Sequence, residues 1–372
     1  MGLTSKTVLF LAVFVMVALF ALAVWLWPRL SRRGWRAAVR RVGLVLAGQL
    51  AILAVGGLTA NNTFGFFTSW SDLASVFQRS QEDPPAGRAA AGLRVLGHES
   101  VNVPGGSVPE KGGRIDKVDV RGAGSKISSS AYVYLPPEYF QPEFKNTTFP
   151  TSIVLTGYPG TAEALIKGLR YPQTAWKLAR QKKAQPMILI MLRPSVTGQW
   201  DTECMNVPGG PQAASFFARD LPKEMRNHYR IGRQRESLGI IGNSTGGFCA
   251  LKLAMEYPHV FSAAGSLSGY FKPATDPTTG DLYKGDKQLE QRSNLLWRQQ
   301  HVPAPPTSFL VTTSKQGEHN YQDTLRFITQ TKSPSRVSSI ILDRGGHNFN
   351  TWRREIPGTL SWISSRLQSP KP

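Results

Sequence analysis

The pattern of apolar positions divides the chain into two regions that predict different structures. Two uncharged apolar runs lie near its start, Thr7–Trp27 and Val42–Ala60, the second with Gln49 as its one strongly polar residue. At about 1.5 Å per residue, a helix over either run approximately matches the roughly 30 Å hydrocarbon core of a bilayer. Beyond Gly113, short apolar runs alternate with amphipathic segments instead. The pattern therefore predicts two transmembrane helices followed by a folded domain.

The apolar runs have two alternative interpretations besides a membrane anchor, a cleaved signal peptide and a pair of buried helices. A cleaved signal peptide has an apolar core of about 7–15 residues followed by a cleavage site of small residues. Thr7–Trp27 is longer, and bulky Trp25, Trp27 and Pro28 stand where small residues are expected. The other alternative is a pair of buried helices in a soluble protein. We interpret residues 1–60 as an anchor with two spans.

The segment between the two runs is strongly basic. Short loops rich in Lys and Arg stay in the cytoplasm, so the chain after Ala60 is expected to lie outside it. The sequence thus predicts a multi-pass cell-membrane protein with an extracytoplasmic main domain. The arginines of this loop, which contains no acidic residue, are Arg29, Arg32, Arg33, Arg36, Arg40 and Arg41.

The overall charge changes this picture little. A formal net charge of +20 is of the kind found in nucleic-acid-binding proteins, because Lys and Arg displace counterions from phosphates. An extracytoplasmic domain does not meet nucleic acid, and part of the excess is the arginine loop itself. The expected partners are anionic lipid headgroups or anionic wall polymers.

Residues 61–112 show no sustained helical or strand period. They contain the stretch QEDPPAGRAAAG, which is rich in residues that interrupt regular structure. We interpret them as an extracytoplasmic linker with one interfacial helix near Phe64–Phe77, and residues 113–372 as the main domain.

The main domain is predicted to be α/β, with a mostly parallel eight-stranded sheet and helices on both faces, because strands alternate with helices along most of it. The first two strands, joined without a helix, are expected to form an antiparallel edge. The predicted strands are Ile115–Val120, Ser130–Leu135, Ser152–Thr156, Met187–Leu192, Leu238–Gly242, Ala263–Ser266, Ser308–Thr313 and Ser338–Leu342. The predicted helices are Ala162–Gln181, Ala213–His228, Thr245–Glu256, Gln288–Gln300, Tyr321–Thr331 and Trp352–Leu367.

One motif in this domain carries chemistry. In SLGIIGNSTGGFCALKLAMEYP an apolar strand runs into Gly242-Asn243-Ser244-Thr245-Gly246 and then directly into a helical pattern. This is the Gly-x-Ser-x-Gly nucleophile elbow in its strand-turn-helix context, in which glycines permit a tight turn and the serine projects from the strand end. The motif predicts an α/β-hydrolase fold with Ser244 as nucleophile.

A serine hydroxyl needs a neighbouring imidazole as base and a carboxylate that orients the imidazole, and in this fold the chain order is Ser, acid, His. His347 is the predicted base because it lies in a loop after the last predicted strand. Glu318 is the predicted acid because it follows the penultimate strand, and Asp323 stays open as an alternative. The other histidines after the elbow, which we consider weaker candidates, are His259, His301 and His319.

An oxyanion needs two backbone N–H donors. Thr245 supplies one as the residue after the nucleophile. In this fold the other belongs to the loop after an early strand, here IVLTGYPGTAE, and Tyr158 is the expected donor.

The chain contains two cysteines, Cys204 and Cys249, and both fall in the domain expected outside the cytoplasm. An even count in an oxidising compartment favours a disulfide, with two buried free thiols as the alternative. Cys249 lies on the first turns of the elbow helix and Cys204 in the loop after the neighbouring strand, so a bridge is geometrically reasonable.

Several stretches together resemble the "Putative esterase" family, which includes esterase D and the mycolyltransferases of the antigen 85 type. They are AYVYLPPEYF, LPKEMRNHYRI, GNSTGGFCALKLAMEYPHVFSAAGSLSGYF and GGHNFNTWRREIP, within Gly113–Leu367. The resemblance implies the same triad, Ser244, Glu318 and His347, and the same oxyanion donors. Thr245 departs from the family, which usually has Met or Leu there, and the compact acid segment keeps Asp323 open.

The sequence therefore predicts a membrane-anchored serine esterase or acyltransferase. It would act through an acyl-enzyme on a lipid or cell-wall ester, without a metal or organic cofactor. The alternative is a surface protein of the same fold that is not catalytic and binds anionic or glycan polymers. The sequence favours the enzyme because it retains a complete Ser, Glu and His set.

Overall fold

The computed structural model describes residue 3 and residues 5–30, 34–64, 70, 73–74, 91–198 and 200–368. The chain divides into two compact units, Met1–Phe77 and Gln78–Pro372.

The first unit consists of two helices, α1 (Lys6–Leu30) and α2 (Trp35–Phe64), which contact each other. Both are long and apolar enough to cross a membrane, although a helix of this kind near an N-terminus also suits a signal sequence. No residue of α1 is buried. The helix α2 begins at Trp35, so part of the predicted basic loop belongs to its first turns. The interfacial helix expected near Phe64–Phe77 falls mostly outside the described residues.

The second unit is built on a sheet of nine strands, one more than predicted. The additional strand is the first, Gly92–Ser100, in the segment that we interpreted as a linker. It lies at an edge of the sheet and most of its residues are exposed, so it lacks the apolar alternation by which a strand is recognised. The strands are β1 (Gly92–Ser100), β2 (Arg114–Arg121), β3 (Ser128–Leu135), β4 (Thr151–Leu155), β5 (Ile188–Leu192), β6 (Leu238–Asn243), β7 (Ala263–Leu267), β8 (Ser308–Gln316) and β9 (Arg336–Arg344).

The strand order is β1-β2-β3-β5-β4-β6-β7-β8-β9. The pairs β1·β2, β2·β3 and β3·β5 are antiparallel, and every pair from β5 to β9 is parallel. The mostly parallel α/β fold with an antiparallel edge is thereby confirmed. Parallel strands end at the same edge, so the loops after β4, β6, β8 and β9 meet there.

Helices cover both faces of the sheet, which explains why its central strands are apolar on both sides. In β4, Ile153 packs into one core together with the elbow helix, while Val154 packs into a second core with the C-terminal helix. The helices of this unit of at least seven residues are α3 (Tyr171–Arg180), α4 (Leu221–His228), α5 (Thr245–Glu256), α6 (Lys287–Ser293), α7 (Leu295–His301), α8 (Tyr321–Gln330) and α9 (Phe349–Arg366).

Candidate active site

Ser244 lies in the turn between β6 and α5, with a backbone φ of 54° and ψ of −123°. A non-glycine residue is strained in this region, so the surrounding structure must hold it there. The flanking glycines make this turn possible. A Cβ on Gly246 would lie 2.4 Å from the carbonyl oxygen of Leu155, and one on Gly242 would lie 2.4 Å from the Gly246 carbonyl carbon. The turn thus presents Ser244 at the carboxyl edge of the sheet.

His347 directly contacts Ser244, the predicted nucleophile. Its Nε2 atom lies 2.8 Å from Ser244 Oγ, within hydrogen-bond distance. The imidazole ring packs edge-on against Trp352, with 5.1 Å between the ring centroids. Burial, and next the positive charge of nearby His319, lower the pKa of His347 below its usual value of 6.5. The imidazole is therefore neutral near pH 7 and able to accept the serine proton.

Glu318 lies just after β8, in a loop that packs directly against the His347 loop. A Cβ on Gly317 would lie 2.1 Å from the carbonyl oxygen of Gly345. The Ser268 hydroxyl donates to Glu318 Oε1 over 2.6 Å, while Glu318 Oε2 is buried without a hydrogen-bond partner. Burial raises the pKa of Glu318, against the effect of its hydrogen bonds. The structure does not give Glu318 a hydrogen bond to His347 in this conformation.

Of the competing candidates, His319 is close enough to His347 to affect its pKa, whereas the others make contacts elsewhere. Asp323 is exposed on the first turn of α8 and pairs with Arg326 over 3.0 Å, as expected of a solvated carboxylate at a helix N-terminus. His301 stacks on Trp297 with 4.3 Å between ring centroids, and His259 packs beside Tyr257. Among the described histidines, His347 alone has a hydrogen bond to Ser244.

The two expected oxyanion donors flank the nucleophile. Thr245 is the first residue of α5, where backbone N–H groups are not used by the helix. The loop after β4 approaches from the other side, because a Cβ on Gly157 would lie 3.0 Å from Ser244 Cβ. Tyr158 follows Gly157 in that loop. The geometry is compatible with both N–H donors.

Cys204 and Cys249 form a disulfide, with 5.6 Å between their Cα atoms. Both residues are fully buried. The bridge joins the loop after β5 to the elbow helix α5, five residues beyond the nucleophile. That loop is therefore held next to the active site.

Sequence reasoning missed three buried carboxyl groups near this edge: Asp201, Glu203 and Glu355. Glu355 could have been suspected, because it lies on the same helical face as Trp352 and Ile356, which are core residues. Asp201 and Glu203 belong to a loop without periodicity, which gives no indication of burial. Within the described part of the chain, no group of three or more His, Cys, Asp or Glu residues is arranged to hold a metal ion.

The model of the "Putative esterase" family matches residues 126–363 of this chain. The match covers most of the nine-stranded unit and includes every residue named above as nucleophile, base, acid or oxyanion donor.

Several solved structures share the fold. A ferulic acid esterase superposes with a TM-score of 0.58 at 16% identity, covering 68% of this chain and 97% of the other. An S-formylglutathione hydrolase from Agrobacterium tumefaciens gives 0.57 at 16% identity, covering 74% and 100%. The fluorophosphonate-binding serine hydrolase F of Staphylococcus aureus gives 0.53 at 16% identity, covering 67% and 98%. At these identities the likeness shows the fold alone.

A relative from Corynebacterium glutamicum, described as an uncharacterized protein, is 23% identical over 256 residues. The alignment covers 63% of this chain and 57% of the relative. The match thus spans little more than half the length of that protein, and it adds no information about activity.

Proposed function

The chain belongs to the "Putative esterase" family of carboxylic-ester hydrolases, and on this premise we propose that it is a membrane-anchored, extracytoplasmic serine esterase or acyltransferase. The observation that carries the proposal is the 2.8 Å contact between Ser244 Oγ and His347 Nε2 at the carboxyl edge of the sheet. A strained elbow serine beside a neutral imidazole is the arrangement that nucleophilic acyl transfer requires.

In the first step, Ser244 Oγ attacks the carbonyl carbon of an ester while His347 Nε2 takes the hydroxyl proton. The N–H groups of Thr245 and Tyr158 stabilise the negative oxygen of the tetrahedral intermediate. Its collapse breaks the bond to the alcohol, which leaves with the proton from His347. The acyl group remains on Ser244 as an ester.

In the second step, His347 removes a proton from an acceptor, which attacks the carbonyl carbon of the acyl-enzyme. The bond between that carbon and Ser244 Oγ then breaks, and Ser244 takes the proton back from His347. Water gives a carboxylic acid, so the enzyme acts as an esterase, whereas a sugar or lipid hydroxyl gives a new ester and an acyltransferase. Glu318 keeps the positive imidazole in place during both steps. Glu318 Oε2 is buried without a hydrogen-bond partner, and it is the atom that we propose for the contact with His347.

The proposed substrate is a lipid or cell-wall ester. Two helices of membrane-spanning length precede the catalytic unit, and arginines lie between their apolar runs. By the positive-inside rule these features support a catalytic unit outside the cytoplasm. Lipid and wall esters are accessible to an enzyme in that location. Anionic headgroups or wall polymers are the proposed partners of its basic surface.

The catalytic proposal is tested with Ser244→Ala and His347→Ala. Both variants should lose turnover of a short-chain nitrophenyl ester by several powers of ten, and Ser244→Ala should not react with a fluorophosphonate probe. Ser365→Ala and His259→Gln, away from the site, should keep normal rates. Full activity in a folded Ser244→Ala variant would refute the assignment. Tight binding of an anionic polymer by a wild-type protein that never labels would favour the non-catalytic alternative.

The topology is tested in intact cells with a membrane-impermeant thiol reagent, in a Cys204→Ala/Cys249→Ala background. A cysteine at position 80, introduced as Ser80→Cys, should be labelled, and one introduced as Ser31→Cys should not. The opposite pattern would place the catalytic unit in the cytoplasm.

A further inference from the structure

The loop after β5 is fixed to the elbow helix at more than the disulfide. Lys252 of α5 is buried, and its Nζ atom donates to the carbonyl oxygen of Cys204 over 3.3 Å. Lys252 also pairs with Glu256 over 3.0 Å. Thus Cys204 is bound to α5 through its side chain by the disulfide and through its backbone carbonyl by a charged hydrogen bond.

This attachment holds the loop in an unfavourable conformation. Glu203 has a φ of 48° and Cys204 a φ of 51°, two successive non-glycine residues in the left-handed region. Such residues persist only where the surrounding structure over-determines them, and they are concentrated at functional sites. The result of this conformation is that the Glu203 side chain is completely buried beside the nucleophile helix.

Glu203 is connected to the residue after the nucleophile. The Tyr270 hydroxyl donates to Glu203, with distances of 2.6 Å to Oε1 and 2.8 Å to Oε2. The Thr245 side chain lies close to the same Tyr270 hydroxyl. The Tyr270 ring stacks on Phe248 of α5 with 5.1 Å between ring centroids. Glu203 also accepts the N–H of Ala274 over 3.1 Å, so its own position is fixed.

We propose that Glu203 is a positioning residue that acts through Tyr270 on Thr245 and holds the backbone N–H of Thr245 in place as an oxyanion donor. The functional part of this inference rests on the proposed function, because Thr245 matters as a donor only if Ser244 forms acyl intermediates.

The charges around Glu203 are compatible with this role. Burial, and next the charge of Asp201, raise the pKa of Glu203 to about 8. Hydrogen bonds from Tyr270 and Ala274 and the charge of Lys252 lower this pKa, but by less. At neutral pH the carboxyl is therefore mostly protonated. A neutral group so close to Thr245 does not oppose the negative charge that develops on the oxyanion.

The test is a mutant cycle of Tyr270→Phe and Thr245→Val, with Glu203→Gln alongside and Tyr257→Phe as the matched control at the far end of α5. Each of the first three variants should lower kcat about tenfold with KM nearly unchanged, which is less than the roughly 10²–10³ that removal of a whole donor costs. The double variant Tyr270→Phe/Thr245→Val should be no worse than either single one. Tyr257→Phe should keep the wild-type kcat.

A second measurement does not depend on activity. Hydrogen exchange of the elbow peptide that contains the Thr245 amide should be faster in Tyr270→Phe and Glu203→Gln than in the wild type and Tyr257→Phe. Unchanged exchange, or kcat losses that multiply in the double variant, would overturn the link between Glu203 and Thr245. If the two variants change the exchange rate but the wild-type protein turns over no ester, the link stands and the proposed function fails instead.

Discussion

Two hydrogen-bonded networks with buried carboxyl groups lie on either side of Ser244, and they are built differently. In the first, the Ser268 hydroxyl donates to Glu318, and the backbone N–H of Ser268 donates to Thr312 Oγ1 over 3.0 Å. Thr312 in turn donates to Glu355 over 2.8 Å. In the second, the Tyr270 hydroxyl donates to Glu203 and lies close to the Thr245 side chain.

The difference lies in what holds each carboxyl in place. The first network connects residues on or just after strands and a helix, and one of them, Ser268, also has a positive φ, of 50°. Glu203 stands on a loop with a strained backbone and depends on the disulfide and on Lys252. In the proposed mechanism the first network serves the base and the second the oxyanion donor, so the two should respond differently to substitution, reduction and pH.

The largest effect is expected from the acid of the first network. Glu318→Gln should lower kcat by roughly 10²–10⁴-fold, because a neutral amide neither orients nor stabilises the imidazolium. Asp323→Asn, which removes a carboxylate of the same region, should leave kcat nearly unchanged. Steady-state kinetics on a nitrophenyl ester measures both. The reverse order would assign the acid role to Asp323.

Loss of the disulfide should affect mainly the second network. Cys204→Ala/Cys249→Ala should lower the free energy of unfolding by up to about 4 kcal/mol, since the bridge closes a loop of 45 residues. It should also reduce kcat as Tyr270→Phe does. Urea unfolding with and without reductant provides the measurement, and reductant should not change the double variant.

The bridge itself is checked by mass spectrometry of protein purified without reductant, which should contain a peptide that links Cys204 to Cys249. If both thiols of the native protein react freely with an alkylating agent, the loop is not attached to α5 as described.

The smallest effect concerns stability against pH. Burial raises the pKa of Glu355 from its ordinary value of 4.5 to about 8. A carboxyl with a raised folded-state pKa contributes stability that is fully present below about pH 4.5 and is lost as the pH rises through about 8. Glu355→Gln lacks this loss, so its unfolding free energy should decline less than that of the wild type over this range.

The control is Glu290→Gln, which removes an exposed carboxyl from α6 and should follow the wild-type curve. Parallel curves for the wild type and Glu355→Gln in chemical unfolding from pH 5 to 8 would mean that Glu355 is ionised throughout in the folded protein.

The local pattern of apolar and polar residues was sufficient to predict much of the fold. Each of the eight predicted strands overlaps an observed one, and the predicted elbow helix Thr245–Glu256 has the observed bounds. The strand β1 was missed because an exposed edge strand has no apolar face to reveal it. Gln288–Gln300 is divided into α6 and α7, where Asn294 caps the second helix by accepting from its backbone N–H groups.

For the site, the amino-acid sequence was sufficient to predict which residues can carry the chemistry, because the strand-turn-helix at Ser244 is a local pattern and the fold that it implies sets the chain order of acid and base. The contact between Ser244 and His347 and the burial of Glu203 and Glu355 appear only in the folded chain. Burial and hydrogen-bond partners depend on side chains distant in sequence, such as Glu203 and Tyr270, that meet only when loops pack on the sheet edge. No local pattern records such long-range contacts.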